Sequence, residues 1–170
     1  MTVAEGRFHY PLRNLVPDYL RAGFGFGLTM LPMPHAIGGH PVVLLIVLSL
    51  AILFGSFGLT TFLRQKSTVC ASEDGLWIEG PRARSILWQE VREIDLRYFS
   101  TRKDRDKGWL QMKVIGPAGT IKVDSNLDDF DSLLRWVVTA ITRHDLSVTA
   151  IGRENFASVG QNLPAGEDTA

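Results

Sequence analysis

From Ala22 to Leu63 the chain contains no Asp, Glu, Lys or Arg, whereas the rest of the sequence is charge-rich. Within this apolar front, "VVLLIVLSLAILFGSFGLTTFL" runs from Val42 to Leu63 as 22 uncharged residues and ends against Arg64 and Lys66. A membrane-spanning helix needs about 20 such residues at a rise of ~1.5 Å each. No second, polar face interrupts the run, so a spanning helix is the expectation over a core helix. A shorter apolar segment precedes it, about residues 17–33. Pro17 suits the first position of a helix, and "DYLRAGFGFGLTMLPMP" leads on to Pro32 and Pro34. Asp18 and Arg21 then lie at headgroup level, the Arg stem reaching outward. An interfacial or re-entrant helix is the alternative for this segment.

Behind Ser67 the pattern changes to short runs separated by turn signals. "STVCAS", "LWIE", "RSILW", "EVREIDLRYF", "WLQMKVIG" and "TIKVDS" read as strands, with "EDG", "GPRA" and "PAG" as turns. Alternation is clearest where Leu110, Met112 and Val114 share one face, followed by Ile121 and Val123. Val91, Ile94 and Leu96 are the inward positions of the preceding run. Strands this short imply a small antiparallel sheet, curled or sandwiched. One helix follows. Asn126 is its expected N-cap, and Asp128 and Asp129 suit its positive end. Arg143 and His144 suit its negative end. Phe130, Leu133, Leu134, Val137 and Ile141 form one apolar stripe that must be buried against the sheet, with Trp136 on its flank. "LSVTAIGRENFASVG" is a candidate further element, and "QNLPAGEDTA" a loose tail.

The fold class expected is therefore a membrane-anchored α+β protein. Residues 1–15 form an N-terminal segment, 16–64 a helical hairpin, 67–144 a soluble domain, and 145–170 a C-terminal extension and tail. The first 15 residues are polar and mixed, without the features of a cleavable signal. Arg7 and Arg13 precede the first span and Arg64 and Lys66 follow the second, whereas the connecting "PHAIGGHP" has neither Lys nor Arg. The positive-inside rule puts both termini in the cytoplasm.

Composition narrows the chemistry. The 170 residues carry 18 basic and 18 acidic side chains, a formal charge of zero that offers nothing to nucleic acid. The single cysteine, Cys70, excludes an internal disulfide and a Cys-rich metal site. It reads as a structural thiol rather than a nucleophile, with no His nearby in sequence. His35 and His40 in the connecting loop make an incomplete metal set. "GPAGT" lacks the Lys and strand-to-helix context of a phosphate loop. The expectation is a protein that is no enzyme and needs no cofactor or metal.

Two groups of residues remain as binding candidates. Gly23 and Gly27 are spaced G-x-x-x-G, and Ala51 and Gly55 small-x-x-x-small, which lets helices approach closely in lipid. Such packing serves either the hairpin itself or a partner helix, self-association included. The loop "RYFSTRKDRDKGW" gathers Arg97, Arg102, Lys103, Arg105 and Lys107 against Asp104 and Asp106, with Trp109 at its end. It reads either as a solvated loop or as a contact for anionic headgroups, each basic group near the surface adding ~1 kcal/mol.

The order of apolar hairpin, "DGLWI", Gly/Pro turn, "SILWQEVREI", charged loop, β-hairpin and amphipathic helix resembles the bacterial pleckstrin-homology-like domains of small membrane proteins. The resemblance covers about residues 15 to 144. Its signature is the strand after Gly75 followed by Ile86, Trp88, Val91 and Ile94. It implies a bent antiparallel sheet capped by the C-terminal helix, and no catalytic residues. The function it suggests is an inner-membrane accessory subunit or assembly factor docking on a larger membrane complex. A membrane module that binds or senses anionic lipid is the alternative, and a sheet edge open to an extended peptide remains available to either.

Overall fold

The computed structural model of the chain describes residues 5–39, 41–100 and 108–163. It is a mixed α+β protein that divides into two units, one holding residues 10–66 and the other 1–9 together with 67–170.

The helical unit contains α1 (Leu12–Met30), α2 (Met33–Ile37) and α3 (Pro41–Gln65). The charge-free run folds as expected, α3 extending it slightly at each end. The first helix differs from its expected bounds of 17–33. Pro11 occupies the cap in an extended conformation (φ −68°, ψ 142°), and its carbonyl accepts from Asn14 N at 3.0 Å. The helix therefore starts a turn and a half earlier, and Pro17 lies inside it rather than at its first position. Among the described residues α3 is the one helix long and apolar enough to cross a membrane. The 19 residues of α1 include Arg13, Asp18 and Arg21.

α1 and α3 pack through the face of α1 that carries Ala22, Gly25 and Thr29, all buried at helical spacing. At Gly25 the backbone comes so near Phe54 that a Cβ would overlap the ring. A Cβ at Gly58 would sit 3.4 Å from that of Ala22. Tyr19 donates its hydroxyl to Gln65 Oε1 at 2.6 Å.

The other unit is built on two antiparallel sheets. Sheet one has the order β1–β2–β3–β4, from Glu5–His9, Thr68–Ser72, Gly75–Glu79 and Arg84–Leu87. Sheet two has β5–β6–β7, from Glu93–Phe99, Trp109–Gly116 and Gly119–Asp124. The N-terminal segment, expected to stand apart from a domain beginning at 67, instead supplies β1. It pairs with β2 from Glu5↔Ser72 to His9↔Thr68 and buries Phe8. The helices are thus an insertion within the first β-hairpin. The pattern E-G-R-F-H offers only one apolar position, and its partner strand lies beyond the whole insertion.

Trp88 leaves the expected strand to open a 3₁₀ turn, Trp88–Glu90. It is fully buried and donates Nε1–H to the Ser72 carbonyl at 2.8 Å, which locks β2 to the end of β4. Helix α4 (Phe130–His144) closes the unit against β1, β2 and the 3₁₀ turn. Its stripe Phe130, Leu133, Leu134, Val137 and Ile141 is buried, with Trp136 half-buried on the flank. Asn126 is not the N-cap. Its N–H is held in a turn by Asp124 Oδ1 at 3.1 Å, and Asp128 N donates to His9 O at 2.9 Å. These bonds delay the helix until Asp129, which takes the cap in a left-handed conformation (φ 52°).

The stretch after 145 is an integral part of this unit rather than an extension. Ile94 N donates to Ser147 O at 2.8 Å and Thr149 N to Ile94 O at 3.0 Å, so the segment pairs with the edge of β5. Helix α5 (Ala150–Ser158) follows and buries Phe156. Of the tail expected after 160, residues 164–170 lie outside the described residues.

Candidate functional site

Pairing across β1, β2 and β3 places Arg7, Cys70 and Trp77 side by side on the face of sheet one opposite Phe8, Val69 and Leu76. Glu5 and Glu79 lie two positions along their own strands and share that face. Arg7 binds Glu5 Oε1 through Nε and Glu79 Oε1 through Nη2, each at 3.0 Å. Trp77 Nε1–H reaches the same Glu79 oxygen at 3.3 Å. Beneath this lattice Cys70 is fully buried. Burial and then the Glu79 carboxylate push its thiol up to about 11, with Arg7 opposing.

The Glu5, Cys70 and Glu79 donor atoms lie within 4.8 Å of one another, a set that can hold a cation. The Arg7 guanidinium already occupies both carboxylates, so an ion must first displace it. Chemically the cluster is a protonated thiol sealed under an ion-pair lattice, the opposite of an activated nucleophile. The sequence reading of Cys70 as structural missed Glu5, Arg7 and Glu79 as its neighbours. The one available signal was the alternating E-G-R-F-H, which carries no hint of its partner strand.

At the basic loop, Arg97 donates Nε–H to Asp95 Oδ2 at 2.6 Å, and Lys113 Nζ lies 3.8 Å from the same oxygen. Asp95 is buried and also accepts from Thr149 Oγ1 at 2.8 Å, which ties α5 to β5. Arg97 is therefore engaged in holding the fold. Trp109 stacks on Phe99, centroids 5.6 Å apart and planes 19° from parallel, across the paired β5 and β6. Tyr98 Oη accepts from Gly108 N at 3.1 Å. Arg102, Lys103, Arg105 and Lys107 lie outside the described residues, as does His40.

In the helical unit Gly23 and Gly27 are exposed, and a Cβ at either meets nothing within 4 Å. Gly55 is exposed with only Phe26 near, a Cβ there lying 3.8 Å from its ring, and Ala51 is half-buried. The close approach of α1 and α3 uses Gly25 and Gly58 instead. The G-x-x-x-G spacing is real, but it lies on a face that α3 does not cover.

A search of protein-family models, of curated proteins and of solved structures finds no match to this chain.

Proposed function

We propose that the chain is a non-catalytic membrane-anchored protein, an accessory subunit or assembly factor of the bacterial inner membrane that docks on a larger membrane complex. The observation that carries this is α3: its most apolar stretch has a mean hydropathy of 2.7, and only 6% of that stretch is buried. Exposing such a helix to water forfeits about 1.5–3 kcal/mol for each large apolar side chain left uncovered. A bilayer removes that cost, and the helix satisfies its own backbone there. With α1 as the second arm, Arg7 and Arg13 on one flank and Arg64 and Lys66 on the other keep both termini in the cytoplasm.

The pleckstrin-homology-like reading of the sheet unit is supported by its four-plus-three strand order and by the closing amphipathic helix α4. In this reading the domain is a rigid recognition module. Its polar clusters are spent on internal ion pairs: Arg7 on Glu5 and Glu79, and Arg97 on Asp95.

Purification of the full chain in mild detergent, followed by mass spectrometry of what accompanies it, tests the proposal. A stoichiometric membrane-protein partner is the expected result. A chain that always emerges alone and monomeric overturns the docking role.

A further inference from the structure

We propose that the groove between α1 and α3 is a binding site for one phospholipid, whose acyl chain fills the groove and whose phosphoethanolamine head sits on Arg21 and Asp18. The inference rests on the membrane reading above. The groove has a volume of about 670 Å³ and is lined by apolar side chains including Leu28, Val47, Leu50 and Phe54. Its polar lining residues are Arg21 and Thr29. Thr29 returns its hydroxyl to the Gly25 carbonyl at 2.7 Å and so offers the groove no free donor. The charge therefore stands at one end and the remainder is hydrocarbon, the distribution of an amphipathic ligand.

The length of the groove suits such a ligand. From Arg21 to Thr29 the helix rises about 12 Å, and Pro32 lies beyond. One leaflet of hydrocarbon is about 15 Å deep, half of the ~30 Å core. A single acyl chain of one leaflet, headed at Arg21, therefore runs along the groove toward Pro32.

The head follows from the ion pair. Arg21 Nη1 donates to Asp18 Oδ1 at 3.1 Å, with the Arg side chain 72% exposed and that of Asp18 20% exposed. A guanidinium has five N–H donors in a fork suited to phosphate. Bonding one of them to Asp18 leaves others for a phosphodiester. Asp18 puts a carboxylate beside that guanidinium, so a head carrying an ammonium next to its phosphate complements the pair better than an anionic one.

The test uses the full chain in vesicles containing phosphatidylethanolamine or phosphatidylglycerol with a photoreactive group midway along one acyl chain. Adducts are mapped by mass spectrometry. Ethanolamine-lipid adducts are expected to concentrate on Leu28, Val47, Leu50 and Phe54. Arg21→Gln is expected to reduce them about tenfold, the value of one charge-assisted hydrogen bond, and Val47→Phe to reduce them by filling the groove. Arg21 is exposed, so its variant reports even if Val47→Phe perturbs packing. Labelling spread evenly around α1 and α3, or unchanged in Arg21→Gln, overturns the site while leaving the membrane reading intact. Equal labelling by phosphatidylglycerol overturns the choice of head. A chain that takes no label from either lipid and washes off vesicles at high pH overturns both the site and the membrane reading.

Discussion

Arg7 Nη2 donates to Glu79 at 3.0 Å, although α1, α2 and α3 all lie between the two residues in the chain. The bond spans β1 and β3 and crosses over Cys70 of β2, so a surface ion pair becomes the lid of a buried thiol.

That lid sets the reactivity of Cys70. With its thiol pushed up to about 11, alkylation of the full chain is expected to be very slow at neutral pH and to rise only in strong base. Glu79→Gln removes a negative neighbour and should move the rate profile to lower pH, whereas Arg7→Gln should move it higher. Because the folded thiol holds its proton above the ordinary value of 9.0, it favours folding below that pH. This stability, on the order of 2–3 kcal/mol, is lost as pH rises from 9.0 through about 11. A thiol that reacts freely at pH 7 would refute the arrangement.

Trp88 and Trp109 should behave differently. Trp88→Phe leaves the Ser72 carbonyl without its indole donor and is expected to cost about 1–3 kcal/mol. Trp88→Ala is expected to cost about 3–5 kcal/mol. Trp109 is 40% exposed and stacks on Phe99, so Trp109→Phe should fall within about 1 kcal/mol of the parent. Urea unfolding followed by circular dichroism ranks the three.

Thr149 has two tasks: its Oγ1 accepts from Gly152 N at 3.0 Å as the N-cap of α5 and donates to Asp95 Oδ1 at 2.8 Å. Thr149→Ala should cost about 1–2 kcal/mol and release α5 first. Hydrogen exchange is expected to speed up over 147–158 while β2 and β3 stay protected. Uniform acceleration across both sheets would count against a locally held α5.

In the helical unit the two kinds of glycine separate cleanly. Gly25→Val drives a side chain into Phe54 and is expected to cost about 1–3 kcal/mol of hairpin packing. Gly23→Val and Gly27→Val point into open space and should leave the hairpin intact. Disulfide formation between Ala22→Cys and Gly58→Cys, in a Cys70→Ala background, reports this: it should drop for Gly25→Val alone. Equal loss in all three would place the contact face wrongly.

Much of this was legible in the chain itself. The stripe Phe130, Leu133, Leu134, Val137 and Ile141 and the alternation around Met112 and Val114 are local periodicities, and both are buried as read. Errors gathered where distant bonds intervene. The α4 start moved to Phe130 because Asp124 and His9 hold Asn126 and Asp128 in a turn. Of the basic-loop candidates within the described residues, Arg97 stays exposed but is paired with buried Asp95, a carboxylate that also accepts from Thr149 at the start of α5.

What the sequence determined by itself is whatever a single segment satisfies internally. An uncharged run of this length closes its own backbone hydrogen bonds as α3, and an amphipathic stripe declares that α4 must cover something. Only the tertiary structure decided the pairings. A strand's pattern gives its buried face but not its neighbour, so β1 could not be joined to β2 across the inserted helices from the sequence. For the same reason the spacing of Gly23 and Gly27 announced a close helix contact, while the rotation of α1 assigned that contact to Gly25. Backbone pairing and helix rotation are properties of two elements at once, and they place Arg7 and Glu79 over Cys70.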